Sequence, residues 1–385
     1  MCASSKKEIL QLPLKVILTE EGVSQFIRQK KRLLRFKLAD NVEESGIKFT
    51  EFTPSSLQQM MHLDYVSKLE ISMPEFGSSR QEIMDLSKLI VFSVLYKQFD
   101  RQILTALLET NCIRHHNRAN PAQLLDEKTQ IPDNILRSKM VGKAAVINQA
   151  REKILEPIWD SIVNNDELSP EEKNINLLMA EKFLNRLSLF NWYIIVKFFK
   201  TDGFDEMLSS IRSTLHDFMD KSKIAEYISL MVMELALNSE NTNMKKVARV
   251  LYRGLDDVDT LIFDPDIRSK IIQELEKKHE FVFISWKLGG GSTSIGKQGR
   301  LQITLYNKND EFQEFKENVE GKKSANLNKK SLIDFYREGQ EGADLGLYYL
   351  SYLDEACKKE NVKFESLVNQ FASNDLTVIS LTFNF

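Results

Sequence analysis

Glu234 and Asn238 stand four residues apart in SKIAEYISLMVMELALN, residues 222–238, a stretch that is apolar almost all round when wound as a helix. Residues at i and i+4 share one helix face, so a carboxylate and a carboxamide project together from an element that otherwise seeks burial. Burying such a pair costs free energy unless a polar group meets it. A nucleotide with its metal ion is one such partner, and a neighbouring Lys or Arg is the simpler one. Partial burial also raises the pKa of a Glu, as a general base requires.

Two other groupings invite chemistry. Gly291 to Lys297 spells G-x-x-x-x-G-K, but Gln298 follows where a phosphate-binding loop needs Ser or Thr to reach magnesium. Such a loop also runs from a strand into a helix N-terminus, whereas β-rich sequence follows here. The match is a coincidence in a glycine-rich hairpin connection. His115 and His116, in CIRHHNRANP, suggest a metal site or a phosphoacceptor. No carboxylate or thiol cluster stands at ligand spacing. The polar, proline-terminated surroundings read as a helix C-terminus, where cationic side chains suit the dipole.

The elements that must position these residues belong to an ordinary globular chain. Its 385 residues suffice for two or three domains, and 42% hydrophobic with 28% charged content is typical. With 52 basic against 55 acidic residues, overall charge gives no ground for a nucleic-acid or anionic-membrane partner. Cys2, Cys112 and Cys357 are too few and too scattered for a disulfide framework. The N-terminal residues lack the apolar core of a secretory signal, and Leu187–Phe199, the densest apolar region, is too short to span a bilayer. A cytoplasmic protein with no membrane association is expected.

In chain order, Leu12–Leu18 reads as a strand and Glu21–Lys37 as a helix. The latter carries Arg28, Lys30, Lys31, Arg32, Arg35 and Lys37, read as a solvated face balanced by nearby glutamates. Helical periodicity covers Ser55–Thr110 and Ser138–Asn164, with loop-like sequence and an expected subdivision near 121–137. DELSPEEK is a strong helix start, with Ser169 as cap and Pro170 at the first position. The apolar surface that follows, from Leu177 to Phe199, suits a helical bundle and a homodimer interface equally. Lys200–Gly203 is taken as the main boundary, giving regions 1–203 and 204–385. Beyond it come a helix from Phe204, the 222–238 helix, a helix capped by Asp264, a hairpin of FVFISWKL and LQITLY, a long polar segment, a helix and the strand LTVISLTFNF.

In order and spacing, the E-x-x-x-N of MELALN, the strand-ending ITLYNKND and the glycine-flanked GADLGL resemble the boxes of the histidine-kinase-like ATPase superfamily, the Bergerat fold. The likeness covers roughly residues 204–385. It implies an α+β protein, with a mostly helical N-terminal regulatory or dimerisation region followed by a two-layer α/β sandwich on a mixed sheet. Glu234 then matches the catalytic base and Asn238 the magnesium ligand. Asn307 stands where the family has an adenine-binding Asp, with Asn309 near the first glycine of that box. Gly342, Leu345 and Gly346 match the phosphate cradle, and residues 310–340 fall at the ATP lid. The cofactors implied are ATP and magnesium.

The chain departs from the family at Asn307, which lacks the carboxylate's charge, and at Asp344, which replaces a glycine and repels phosphate. The expected function is therefore a signalling or regulatory protein that binds adenine nucleotide or a protein partner with weak or no catalysis. A protein-interaction scaffold without nucleotide and an active ATP-dependent protein kinase are the alternatives.

Overall fold

The computed structural model describes residues 9–129, 131–253, 258–289, 299–308, 344–371 and 376–385. In chain order the elements are β1 (Leu14–Leu18), α1 (Glu20–Arg28), β2 (Leu34–Lys37), β3 (Glu43–Phe49), α2 (Pro54–His62), β4 (Val66–Met73) and α3 (Arg80–Glu109). Next come α4 (Asn111–Ala119), α5 (Asp133–Met140), α6 (Ala144–Val163), α7 (Pro170–Arg186), α8 (Leu189–Lys197), α9 (Phe204–Ser222), α10 (Ile224–Leu251) and α11 (Pro265–Lys278). The chain ends with β5 (Val282–Leu288), β6 (Arg300–Lys308), α12 (Asp344–Lys359), β7 (Lys363–Phe371) and β8 (Leu376–Asn384).

The described strands form one sheet in the order β2-β3-β1-β4-β5-β6-β8-β7. Every pairing is antiparallel, so the expected mixed sheet is corrected. Strands from both ends of the sequence meet at β4 and β5, where Leu69 pairs with Trp286 and Ile71 with Ile284. The α+β class stands, but a helical region ending at Gly203 does not describe the chain. Two compact units emerge instead, residues 1–94 with 224–385, and residues 95–223. The N-terminal strands belong with the C-terminal ones because their inner faces are too apolar to stay apart: Leu14, Val16, Leu69 and Ile71 are fully buried.

In the sheet unit, alternate residues of β5, β6 and β8 turn toward α10. Val232 and Leu235 of that helix line a small apolar void with Ile284, Ile303, Leu305, Ile379 and Leu381. The opposite face carries polar side chains that are also buried, among them Lys68, Glu70, Ser285, Thr304 and Ser380. Glu70 there pairs with Lys15 at 2.7 Å and accepts the Ala39 N–H, and Lys68 pairs with Asp40 at 2.8 Å. These partners permit burial of charges that would otherwise be costly.

Two readings of the first hundred residues change. The expected helix Glu21–Lys37 stops at Arg28, and Leu34–Lys37 is a strand paired to β3, with Lys37 opposite Glu43. The helical block Ser55–Thr110 is interrupted by β4, whose KLEISM alternates polar and apolar residues at the period of a strand, with Lys68 and Glu70 buried on the second face.

The second unit is all helical among its described residues. Tyr96, Phe183 and Phe218 stack at its centre, with ring centroids 4.7–5.5 Å apart. The expected start of α7 is present as a capping box. The Ser169 hydroxyl accepts the Glu172 N–H at 3.3 Å, and the Glu172 carboxylate accepts the Ser169 N–H at 2.8 Å.

Candidate functional site around helix α10

Glu234 and Asn238 lie on successive turns of α10, both half-buried between fully buried neighbours such as Met233, Leu235 and Ala236. Burial raises the Glu234 carboxyl above its ordinary value, and the Arg80 cation at the start of α3 works against that shift. The direction is the one a general base needs. The simpler partner for this carboxylate, an arginine, is thus also present.

Asn307 is placed by register. Two residues beyond Leu305 on β6, it shares the face turned toward α10 and stands opposite Thr377 of β8. It is buried, with its Oδ1 accepting from Asn243 Nδ2 at 2.9 Å and its Nδ2 donating to the Ser239 carbonyl at 3.4 Å. The strand-end amide therefore meets the helix one turn beyond Asn238, and its side chain is already engaged. Beside it, the Thr377 hydroxyl is buried without a hydrogen-bond partner. A buried unsatisfied hydroxyl in a polar corner calls for a ligand atom or a water.

Leu345 and Gly346 fall in the first turn of α12, which packs on α10 and β7 through a helix whose Leu350, Leu353 and Cys357 are fully buried. Asn309, Gly342 and the expected lid, residues 310–340, lie outside the described residues. So does the G-x-x-x-x-G-K run, but the strands on either side of it pair antiparallel, Leu288 with Leu301, as a hairpin requires.

The residue that sequence reasoning missed is Glu240. Its carboxylate is fully buried, accepts the backbone N–H groups of Phe76 and of Gly77, the latter at 3.2 Å, and pairs with Arg268 of α11. Arg268 also reaches Glu75 at 3.4 Å, and Asp264 caps the helix that carries it. Burial raises the Glu240 carboxyl, opposed by the Phe76 N–H and by Arg268. A signal for this was in the sequence. The stripe Met233, Ala236, Met244, Val247 runs at helical spacing through position 240 and is buried at each of these positions.

Chemically, α10 offers a carboxylate able to take a proton at Glu234 and an amide oxygen for a cation at Asn238. The ends of β6 and β8 offer hydrogen-bonding groups at Asn307 and Thr377, of which Asn307 meets α10 at Ser239 and Asn243 and not at the first pair. Among the described residues no group of three His, Cys, Asp or Glu side chains is placed to hold a metal ion. A magnesium ion at Asn238 would therefore take most of its ligands from phosphate oxygens and water, as magnesium commonly does.

A family model described as a family of unknown function (DUF8084) matches residues 5–385. An uncharacterized protein of Treponema pallidum (strain Nichols) is 41% identical over 389 residues, an alignment covering 100% of both chains. No solved structure matches the chain. No described helix is long and apolar enough to cross a membrane.

Proposed function

The chain belongs to the DUF8084 family, and we propose that its sheet unit is a divergent histidine-kinase-like module of a cytoplasmic regulatory protein. It binds an adenine nucleotide with magnesium, turns it over weakly or not at all, and signals its state to a protein partner. One observation carries this reading. The end of β6 and helix α12 both pack on α10, the elements whose sequences resemble the family's boxes, and the Thr377 hydroxyl beside Asn307 is buried without a partner.

The residues present fit such a ligand. Asn307 and Thr377 would face the purine edge, Asn238 would hold magnesium, and Leu345 with Gly346 would stand at the phosphates. The metal, when bound, neutralises phosphate charge. Weak turnover follows from the protein's own groups: the Arg80 charge favours the ionised form of Glu234, a weaker base, and Asn307 brings no charge to the adenine base.

Calorimetric titration of the whole chain with ATP and magnesium tests the reading. Saturable binding is expected, weakened about tenfold in Asn238→Ala, a loss of one charge-assisted contact. Absence of heat or thermal shift at millimolar nucleotide overturns it. The scaffold alternative draws on a specific observation, the two hydrogen bonds that Asn307 already makes inside the protein. The active-kinase alternative requires phosphoryl transfer from labelled ATP that Glu234→Ala abolishes.

A further inference from the structure

The helical unit holds a group of basic side chains that the nucleotide reading does not use. His116 lies in the last turn of α4, Lys197 at the end of α8 and Lys139 near the end of α5. Lys197 Nζ is 3.0 Å from His116 Nε2. Lys139 and Lys197 lie 5.7 and 6.0 Å from the centroid of the same Tyr193 ring. Phe198 closes the wall, with its ring 5.5 Å from the imidazole and 5.7 Å from the Lys197 ammonium. On its far side the imidazole meets the Asn120 amide at 3.2 Å and a backbone hydrogen bond at Gln123. An ammonium can only donate, so the ring nitrogen turned to Lys197 accepts through its lone pair.

Among the described residues no carboxylate pairs with Lys139 or Lys197. Burial and then Lys197 lower the pKa of His116, and burial and then Lys139 lower that of Lys197. Like charges gathered beside aromatic rings, with no counter-charge, are unfavourable to each other and favourable to an anion. Exposed Arg114 and Arg118 on α4 add to the same positive field.

We propose that the notch formed by His116, Lys139 and Lys197 binds a phosphoryl group. A phosphate dianion accepts from both ammonium groups, which draws Lys197 away from Nε2. The imidazole then gains a proton and becomes a third donor. Lysine as a point charge and histidine as a donor at neutral pH are common partners for phosphate oxygens. Tyr193 and Phe198 exclude water on one side and strengthen these contacts.

The test follows the histidine ring signals of the full-length chain by NMR, with His116 identified through His116→Gln. Inorganic phosphate is compared with chloride at equal ionic strength. Phosphate should raise the His116 pKa by about one unit, a tenfold gain in proton affinity. The double variant Lys139→Met, Lys197→Met should abolish the difference, and Lys363→Met, an exposed lysine of the sheet unit, should leave it intact. Each single variant should weaken phosphate binding about fivefold, the upper range for one exposed ion pair. Equal titration in phosphate and chloride, or a difference that survives the double variant, overturns the proposal. Cosedimentation with phosphatidylcholine vesicles containing phosphatidic acid, lost in the double variant, assigns the phosphoryl group to a lipid headgroup. Phosphate binding without cosedimentation assigns it to a small molecule.

Discussion

Helix α10 carries a carboxylate and a carboxamide twice within ten residues, and the two sets meet opposite fates. Glu234 and Asn238 remain half-exposed, and among the described residues the carboxylate feels the electrostatic influence of Arg80 without a hydrogen bond or ion pair to it. Glu240 and Asn243 are buried and engaged, the first by Arg268 and two backbone N–H groups, the second by Asn307. Residue type and helical spacing are nearly the same in both. The difference lies in what the rest of the chain brings to each turn. At the inner set, the β4–α3 connection, α11 and the end of β6 supply donors and acceptors, and the set holds the unit together. At the outer set the side chains stay open enough to serve a ligand.

The comparison breaks most readily at Glu240. Glu240→Ala leaves Arg268 and the Phe76 and Gly77 N–H groups without their acceptor, and is expected to cost about 3 kcal/mol. Urea denaturation measures this, and a loss under 1 kcal/mol would mean the inner set is not structural. Asn307→Ala comes next, at about 2 kcal/mol, because it strands the buried Asn243 amide. The double variant with Asn243→Ala should lose less than the sum of the two, and strict additivity would show that the amide pair is not coupled.

A smaller effect should appear with pH. Burial holds the Glu240 carboxyl above its ordinary value, so the folded chain binds this proton more tightly than the unfolded chain does. The stabilisation from this site is therefore greatest below about pH 4.5 and declines as pH rises through the raised folded value. Relative to Glu240→Gln, which does not titrate, the wild type should be more stable at pH 4 than at pH 7. A flat or inverted difference contradicts the assignment. The smallest change is expected at Asn238→Ala, within about 0.5 kcal/mol by the same denaturation, as befits a half-exposed side chain without a structural partner. A loss as large as that at Asn307 would move Asn238 into the inner set and remove it as a ligand-binding residue.

Local signals made several elements legible. The Ser169–Glu172 capping box and the Asp264 cap are formed, because each depends on atoms within three residues. The β5–β6 hairpin is antiparallel where two β-branched, aromatic runs flank a glycine-rich link. Strand β4 carries a strand-period alternation in KLEISM that a reading at helical spacing overlooks. What the sequence could not show is that Lys68 and Glu70 are buried, because their partners Asp40 and Lys15 lie 28 and 55 residues away. The same distance in sequence obscured Glu240, whose partner Arg268 is on another helix 28 residues on and whose backbone donors precede it by more than 160 residues.

By itself the sequence determined which segments bury a face, where helices start, and that α10 carries acid and amide groups in an apolar setting. These follow from side-chain period and short-range hydrogen bonding, which a chain carries wherever it folds. Only the tertiary structure decided that N- and C-terminal strands share one sheet, that Glu240 rather than Glu234 is sealed by an arginine, and that Thr377 lacks a partner beside Asn307. Those outcomes depend on strand register and helix packing between distant segments, where a shift of one residue turns each side chain to the other face.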